Sequence, residues 1–143
     1  MILYHFTSLY ALKNGGTILQ EGLKPTAVPN DGLPNSCVWF TAEPEPVRWW
    51  QANNPPDVRI KVVIPDMDYR LVPYEKWQRQ HFSEDELRRV DEYALETALA
   101  NGATGRLAWR KWYLYFGSIP VSRFRAVEYA DSARRETELL SPT

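Results

Sequence analysis

The chain has 143 residues, a length typical of one domain, and its 44% hydrophobic and 24% charged residues are ordinary for a globular protein. A formal net charge of −1 and a single cysteine, Cys37, argue against a basic nucleic-acid interface, a disulfide framework and a cysteine-based metal site. The two histidines lack the spacing of metal ligands, which argues against zinc. The sequence shows neither a signal peptide nor an apolar run of roughly 20 residues, so we expect a cytoplasmic protein with no membrane contact.

The first predicted element is a short buried strand. The apolar run Ile2–Phe6 is typical of such a strand, and Thr7 or Ser8 follows as a candidate cap for the helical turns after it. Gly22 suits the end of a helix and Pro25 prevents its continuation. Residues 27–36 are rich in Pro, Asn, Asp and Gly, which predicts a loop.

Two strands and one helix are predicted in the middle of the chain. Cys37–Ala42 is the second strand. Pro46 fits the first turn of a helix, which must end before Pro55 and Pro56. The run Val58–Pro65 first alternates and then becomes fully apolar, as a strand of a sheet does.

The last third of the chain contains a predicted helix and two strands. Ser83 and Glu86 have the spacing of a capping box, and the helix that they begin should stop at residues 101–102, Asn-Gly. Lys111–Phe116 and Phe124–Ala130 have the composition of strands.

The order of these elements predicts the fold class. Strands and helices are mixed without a regular parallel-sheet pattern, so we expect an α+β protein. Residues 1–130 form one predicted domain, and residues 131–143 form a polar C-terminal tail.

A candidate ligand site lies at the ends of the first two strands. Alternation along a strand places His5 and Thr7 on one face, and likewise places Trp39 and Thr41 together. An imidazole beside a hydroxyl can hold a sugar hydroxyl or an amide, although a histidine in such a run is also explained as a hydrogen-bonded core residue. We predict that these four residues line one cleft.

A hydrolase site is the competing catalytic interpretation. Cys37 and His5 could meet in space, but a cysteine at the start of a strand is more typical of a core. The sequence contains no GxSxG, P-loop or GxGxxG pattern.

Several short motifs together resemble a known superfamily. They are "LYHFTS", "ILQEGLKP", "VWFT" and "FGSIPVSRFRAVEY", in this order along residues 1–130. Their order is similar to the ADP-ribosyltransferase superfamily, especially its small bacterial DNA-modifying toxins and the RNA 2′-phosphotransferases. The resemblance implies a strongly bent, split antiparallel sheet with flanking helices, and NAD+ held in its cleft.

The resemblance also implies roles for individual residues. His5 would hold a ribose of NAD+, and Thr41 would lie near the nicotinamide. An aromatic side chain, Trp39, Trp49 or Tyr10, would stack on a ring. The NAD+-binding residues expected on this basis are His5, Thr7, Tyr10, Trp39, Thr41 and Trp112.

The catalytic glutamate of such transferases is not evident. The position that it would occupy falls at Lys111 or Trp112, and Glu128 is the nearby acidic substitute, so we take His5 and Glu128 as the expected catalytic pair. The phosphotransferases use arginines instead, for which Arg48, Arg106 and Arg110 are candidates.

Three functions therefore stay open. The first is an NAD+-binding transferase that moves ADP-ribose to an unidentified macromolecule, with NAD+ as substrate. The second is a catalytically inactive nucleotide- or protein-binding module on the same fold. The third is an RNA 2′-phosphotransferase-like enzyme.

Overall fold

A computed structural model describes residues 1–14, 16–25, 36–44, 56–89, 91–92 and 111–131. These residues form an α+β arrangement built on a six-stranded, open antiparallel sheet with the strand order β4-β5-β2-β1-β3-β6. The strands are β1 (Ile2–Thr7), β2 (Val38–Thr41), β3 (Val58–Val63), β4 (Leu71–Pro73), β5 (Trp112–Tyr115) and β6 (Phe124–Tyr129). The helices are a helical segment at Tyr10–Asn14, α1 (Ile18–Glu21), α2 (Tyr74–His81) and a helical turn at Val121–Arg123, and residues 84–89 are also helical.

The five strands predicted from the sequence are present, each within two residues of its predicted ends. The capping box is also confirmed, because the Ser83 amide donates to the Glu86 carboxylate at 3.3 Å and the Glu86 amide donates to the Ser83 hydroxyl at 3.2 Å. The predicted loop over 27–36, the helix at Pro46, the end of the helix at 101–102 and nearly all of the tail lie outside the described residues.

Strand pairing sorts the side chains of the sheet onto two faces. Residues directly opposite each other in antiparallel strands point to the same face. His5 pairs with Ile60, and Ile60 pairs with Val127, so these three share what we call the core face. Tyr4 pairs with Thr41, and both lie on the opposite face because neighbours along a strand alternate.

The hydrophobic core covers the core face. Strand β3 shows why, because its buried Val58, Ile60 and Val62 alternate with partly exposed residues, as in a strand with one face packed. The other buried members of this core are Leu3, Leu12, Leu23, Val38, Phe40, Ile64, Tyr115 and Ile119.

The segment after α1 is hydrogen-bonded to the connection between β5 and β6. Gly22 has a φ of 80°, a backbone conformation that favours glycine, and ends the helix. Leu23 and Ile119 then exchange two backbone hydrogen bonds of 2.9 and 2.8 Å. A side chain at Gly22 would collide with the Ile119 carbonyl, because a Cβ there would lie 2.2 Å from its oxygen. The backbone position of Lys24 follows directly from this clamp.

The turn between β3 and β4 is organised by Asp68. Its carboxylate accepts two hydrogen bonds from the Arg70 guanidinium, at 3.2 and 3.3 Å, and one from the Tyr115 hydroxyl at 2.8 Å. These bonds, Arg70 first, lower the pKa of Asp68 to about 2. The turn thereby attaches the short edge strand β4 to β5.

None of the helices in the described part of the chain is both long enough and apolar enough to cross a bilayer.

Candidate functional site

A pocket of about 380 Å³ opens on the core face where β1 ends and β2 begins. Its polar lining residues are His5, Thr7, Thr17 and Lys24, and its other lining residues are Ala11, Ile18, Gly22, Leu23, Cys37, Val38 and Trp39. The volume lies at the lower end of the range of roughly 300–1,000 Å³ typical of small-molecule sites. An apolar wall with a few polar groups is the composition expected of such a site.

His5 belongs to β1, and its ring is held against β2 in a fixed orientation. Its Nδ1 lies 2.8 Å from the backbone oxygen of Trp39, and its ring meets Phe40 edge to face, with 5.9 Å between the ring centroids. A carbonyl oxygen can only accept, so Nδ1 carries the hydrogen and donates it. In the neutral imidazole Nε2 is then the acceptor.

The protonation state of His5 follows from its surroundings. Burial lowers the pKa of His5 below its ordinary value of 6.5, and the hydrogen bond to Trp39 opposes this effect only in part. The ring is therefore neutral at neutral pH, and its Nε2 can accept a hydrogen bond from a hydroxyl or amide group.

The rim of the pocket carries a short chain of polar contacts. The Thr17 hydroxyl donates to Glu21 Oε2 at 2.8 Å, and Lys24 Nζ lies 3.4 Å from the same oxygen. The hydrogen bond from Thr17, followed by the charge of Lys24, lowers the pKa of Glu21. Thr17 and Lys24 are both among the residues that line the pocket, so a lysine and a threonine lie beside it.

Cys37 lines the pocket but is poorly suited to act as a nucleophile. Its side chain is buried, and burial raises the pKa of its thiol to about 11. Because the thiolate is the reactive form, such a cysteine is unreactive near neutral pH. The structure thus favours the interpretation of Cys37 as a core residue over a Cys-His hydrolase pair.

The predicted cleft of His5, Thr7, Trp39 and Thr41 is partly wrong. His5, Thr7 and Trp39 line the pocket, whereas Thr41 pairs with Tyr4 on the opposite face of the sheet. Thr41 is 1% exposed, and its hydroxyl accepts a hydrogen bond from the Glu43 amide at 3.1 Å. It is held inside the protein on the side away from His5.

The ring of Trp39 also belongs to the opposite face. It packs edge to face against Tyr74 of α2 and against Trp112, with centroid distances of 4.9 and 6.0 Å. Trp112 pairs with Thr41, so it too lies on the opposite face, where it is 8% exposed. The expectation that Trp112 lines the same cleft as His5 is therefore wrong, and Trp39 can offer the pocket its carbonyl side while its ring packs elsewhere.

Glu128 and Tyr10 also lie away from the pocket lining. Glu128 pairs with Arg59, which pairs with Phe6, so its side chain is on the face opposite to His5. There the Glu128 carboxylate lies 3.4 Å from the Arg59 guanidinium. Tyr10 is 67% exposed and is not among the residues that line the pocket. The expected pair of His5 and Glu128 is therefore separated by the sheet.

The polar rim is a feature that the sequence interpretation missed. Thr17 and Lys24 flank α1, where "ILQEGLKP" predicts only a helix end and contributes a family-like motif. Lys24 lies beyond the end of α1, after Gly22 and the bridged Leu23, so no helical spacing in the sequence predicts its contact with Glu21.

Comparison with known proteins identifies no relative of this chain. No protein-family model, curated protein or solved structure matches the chain. The ADP-ribosyltransferase-like interpretation stays a prediction that rests on the motifs quoted above.

Proposed function

We propose that the protein binds NAD+ as an ADP-ribosyltransferase-like domain, with the nicotinamide-ribose part of the molecule in the pocket at the end of β1. The observation that carries the proposal is the orientation of His5. Its Nδ1 hydrogen is used by the Trp39 carbonyl, so its neutral ring presents Nε2 as an acceptor. A ribose hydroxyl is a suitable donor for that nitrogen.

The remaining lining supports the same ligand class. Thr7 is on the same face as His5 and offers a hydroxyl that can both donate and accept, as a sugar or a carboxamide requires. Ile18, Leu23 and Val38 supply apolar surface for a flat ring. The volume of about 380 Å³ suits one end of a dinucleotide, with the other end outside.

Transfer of ADP-ribose is a further step that this arrangement supports less well. In that reaction the bond from the anomeric carbon to nicotinamide breaks, nicotinamide leaves with the electron pair, and a nucleophile of the acceptor bonds to the carbon and loses its proton. A carboxylate stabilises the positive charge that develops. Glu128 is engaged with Arg59 on the other face. The family position of the glutamate falls at Lys111 or Trp112, neither of which has a carboxylate, and Trp112 also faces away. We therefore propose binding of NAD+ with slow release of nicotinamide.

Two substitutions at His5 test the proposal. Asn at position 5 keeps an amide donor for the Trp39 carbonyl and lacks the distal acceptor, whereas Ala loses both. We expect His5→Asn to melt near the wild-type temperature but to bind NAD+ about tenfold more weakly, the loss of roughly one hydrogen bond. His5→Ala should also lose stability, on the order of 2–4 kcal/mol.

Calorimetry with NAD+, thermal melts and an assay of nicotinamide release measure these outcomes. Equal affinity of wild type and His5→Asn for NAD+ would show that His5 is only a core residue. Rapid release of nicotinamide by the wild-type protein would contradict the expectation of slow turnover and would point to a carboxylate elsewhere.

A further inference from the structure

Thr17, Glu21 and Lys24 form the polar rim of the pocket. Lys24 Nζ and the Thr17 hydroxyl both contact one oxygen, Glu21 Oε2, at 3.4 and 2.8 Å. Both partners of Glu21 line the pocket, while Glu21 itself does not. The Glu21 carboxylate, which is not part of the pocket lining, therefore binds the side chains of two residues that are.

The backbone beneath this rim is fixed. Gly22 and Leu23 are clamped against Ile119 by the positive φ and by the two backbone hydrogen bonds described above. The backbone of Lys24, the next residue, is therefore held beside the pocket, and its side chain, which is 58% exposed, reaches Glu21 from there.

The ion pair that holds Lys24 is easily exchanged. The side chains of Lys24 and Glu21 are 58% and 50% exposed, and exposed pairs of this kind contribute little to stability. A phosphate group brings more charge and more acceptor oxygens than one carboxylate, and lysine binds phosphate well as a point charge. An anionic ligand in the pocket can therefore replace Glu21 as the partner of Lys24.

We infer that Lys24 binds a phosphate group of the ligand and that Glu21 is its replaceable counter-ion in the empty pocket. The inference rests on the proposed function, which places a nucleotide there, and it makes the ligand class phosphate-bearing nucleotides in preference to nucleosides. Glu21 then limits affinity, because the ligand must displace it. Thr17 loses no partner in the exchange, since its hydroxyl can stay on Glu21.

Three variants and two nicotinamide ligands test this role. Lys24→Met removes the charge and keeps most of the stem, Glu21→Gln removes the competing charge, and Lys76→Met is the matched control because Lys76 is an exposed lysine on α2. The ligands are nicotinamide mononucleotide and nicotinamide riboside, which differ by the phosphate. We expect Lys24→Met to bind the mononucleotide about tenfold more weakly and Glu21→Gln to bind it about threefold more tightly.

The riboside separates a phosphate contact from a general loss of the pocket. Its affinity should be the same for wild type and Lys24→Met. An equal loss for both ligands, or a loss no larger than that of Lys76→Met, would overturn the inference while leaving binding of NAD+ intact.

Inorganic pyrophosphate keeps the inference testable if neither nicotinamide ligand binds. In that case the proposed function fails, and titration of the ¹⁵N-labelled protein with pyrophosphate decides on Lys24 alone. Saturable shifts of the Thr17 and Lys24 amide signals in the wild type, lost in Lys24→Met, would uphold an anion site. Shifts that are absent, or that persist in Lys24→Met, would overturn it.

Discussion

Trp39 contributes to two surfaces at once. Its carbonyl oxygen accepts the hydrogen of His5 on the pocket side, and its ring packs between Tyr74 and Trp112 on the other side of the sheet. The residue thus connects the orientation of His5 to the packing of α2. The orientation of His5 in the candidate site is set by the Trp39 carbonyl and not by the indole ring, and no sequence pattern indicates that backbone contact.

Cys37 gives a direct chemical test of the pocket wall. Its thiol pKa of about 11 leaves only a small thiolate fraction near pH 8, and its side chain is buried. We expect iodoacetamide to modify the native protein at least about a hundredfold more slowly than the chain unfolded in guanidinium, where the thiol has its ordinary pKa near 8.5.

The same reaction in the presence of NAD+ checks that Cys37 belongs to the ligand pocket. A bound ligand should slow the residual reaction further. Native alkylation as fast as that of the unfolded chain would show that the wall is open and would restore the hydrolase interpretation.

At the scale of elements, α1 shows how a four-residue helix can matter. Ile18–Glu21 is too short to be stable by itself, so its position depends on the residues after it. Gly22 supplies the turn and Leu23 supplies the bridge to Ile119. The pocket residues on either side of α1, Thr17 and Lys24, are placed by that attachment.

Gly22→Ala should therefore damage both stability and binding. The residue has a φ of 80°, and a Cβ would lie 2.2 Å from the Ile119 oxygen, which is backbone and has little room to move. We expect a loss of about 2 kcal/mol, or roughly 5–10 °C in melting temperature, and weaker binding of NAD+ because Lys24 shifts.

Gly117→Ala is the control for this experiment. Gly117 has no positive φ, and its added Cβ would meet side-chain atoms of Tyr115 and Arg70 at 3.1 and 3.3 Å, where no backbone atom is hit but the buried Tyr115 ring must shift slightly. Its cost should stay below that of Gly22→Ala, at about 1 kcal/mol. Equal melting temperatures for the two variants would mean that the clamp at Gly22 does not hold the segment.

The elements that sequence reasoning found and those that it missed differ in a simple physical way. The capping box at Ser83 and the apolar strands are local patterns, and the structure contains them. The strand Leu71–Pro73 has three residues and ends in proline, so it forms only because β5 pairs with it. The helix Tyr74–His81 contains no aliphatic residue, and its one-sided face is the aromatic row Tyr74, Trp77 and His81, whose i, i+3, i+7 spacing the sequence interpretation did not use.

At the scale of the whole molecule, the decisive quantity is the register between strands. Alternation within β1 correctly placed His5 with Thr7, and alternation within β2 correctly placed Trp39 with Thr41. Whether the pair in β1 and the pair in β2 point to the same face of the sheet depends on the register between the two strands. A shift of one residue moves one of the pairs to the other face. Tyr4 opposite Thr41 fixes it, and no local pattern in the sequence reports that pairing.

The stability of the whole molecule should depend on pH through His5. Burial lowers the pKa of His5 in the folded protein, whereas the unfolded chain has the ordinary value near 6.5. Above about pH 7 the ring is neutral in both states and contributes no pH dependence. As the pH falls through about 6.5 the unfolded chain takes up the proton first, so the free energy of unfolding should decrease by up to about 1.4 kcal/mol per pH unit until the folded pKa is reached.

Urea unfolding of three proteins between about pH 5 and about pH 8 measures this decrease. His5→Asn has no titrating ring at the β1–β2 contact and should lack it, while His81→Asn, a change at the exposed ring on α2, should retain it. Asp68 does not interfere, because its pKa of about 2 places the loss of its contacts between about pH 4 and about pH 2, as the pH falls from the unfolded value toward the folded one. A decrease of the same size in His5→Asn would show that another group carries it, and that the pKa of His5 is the same in the folded and unfolded states.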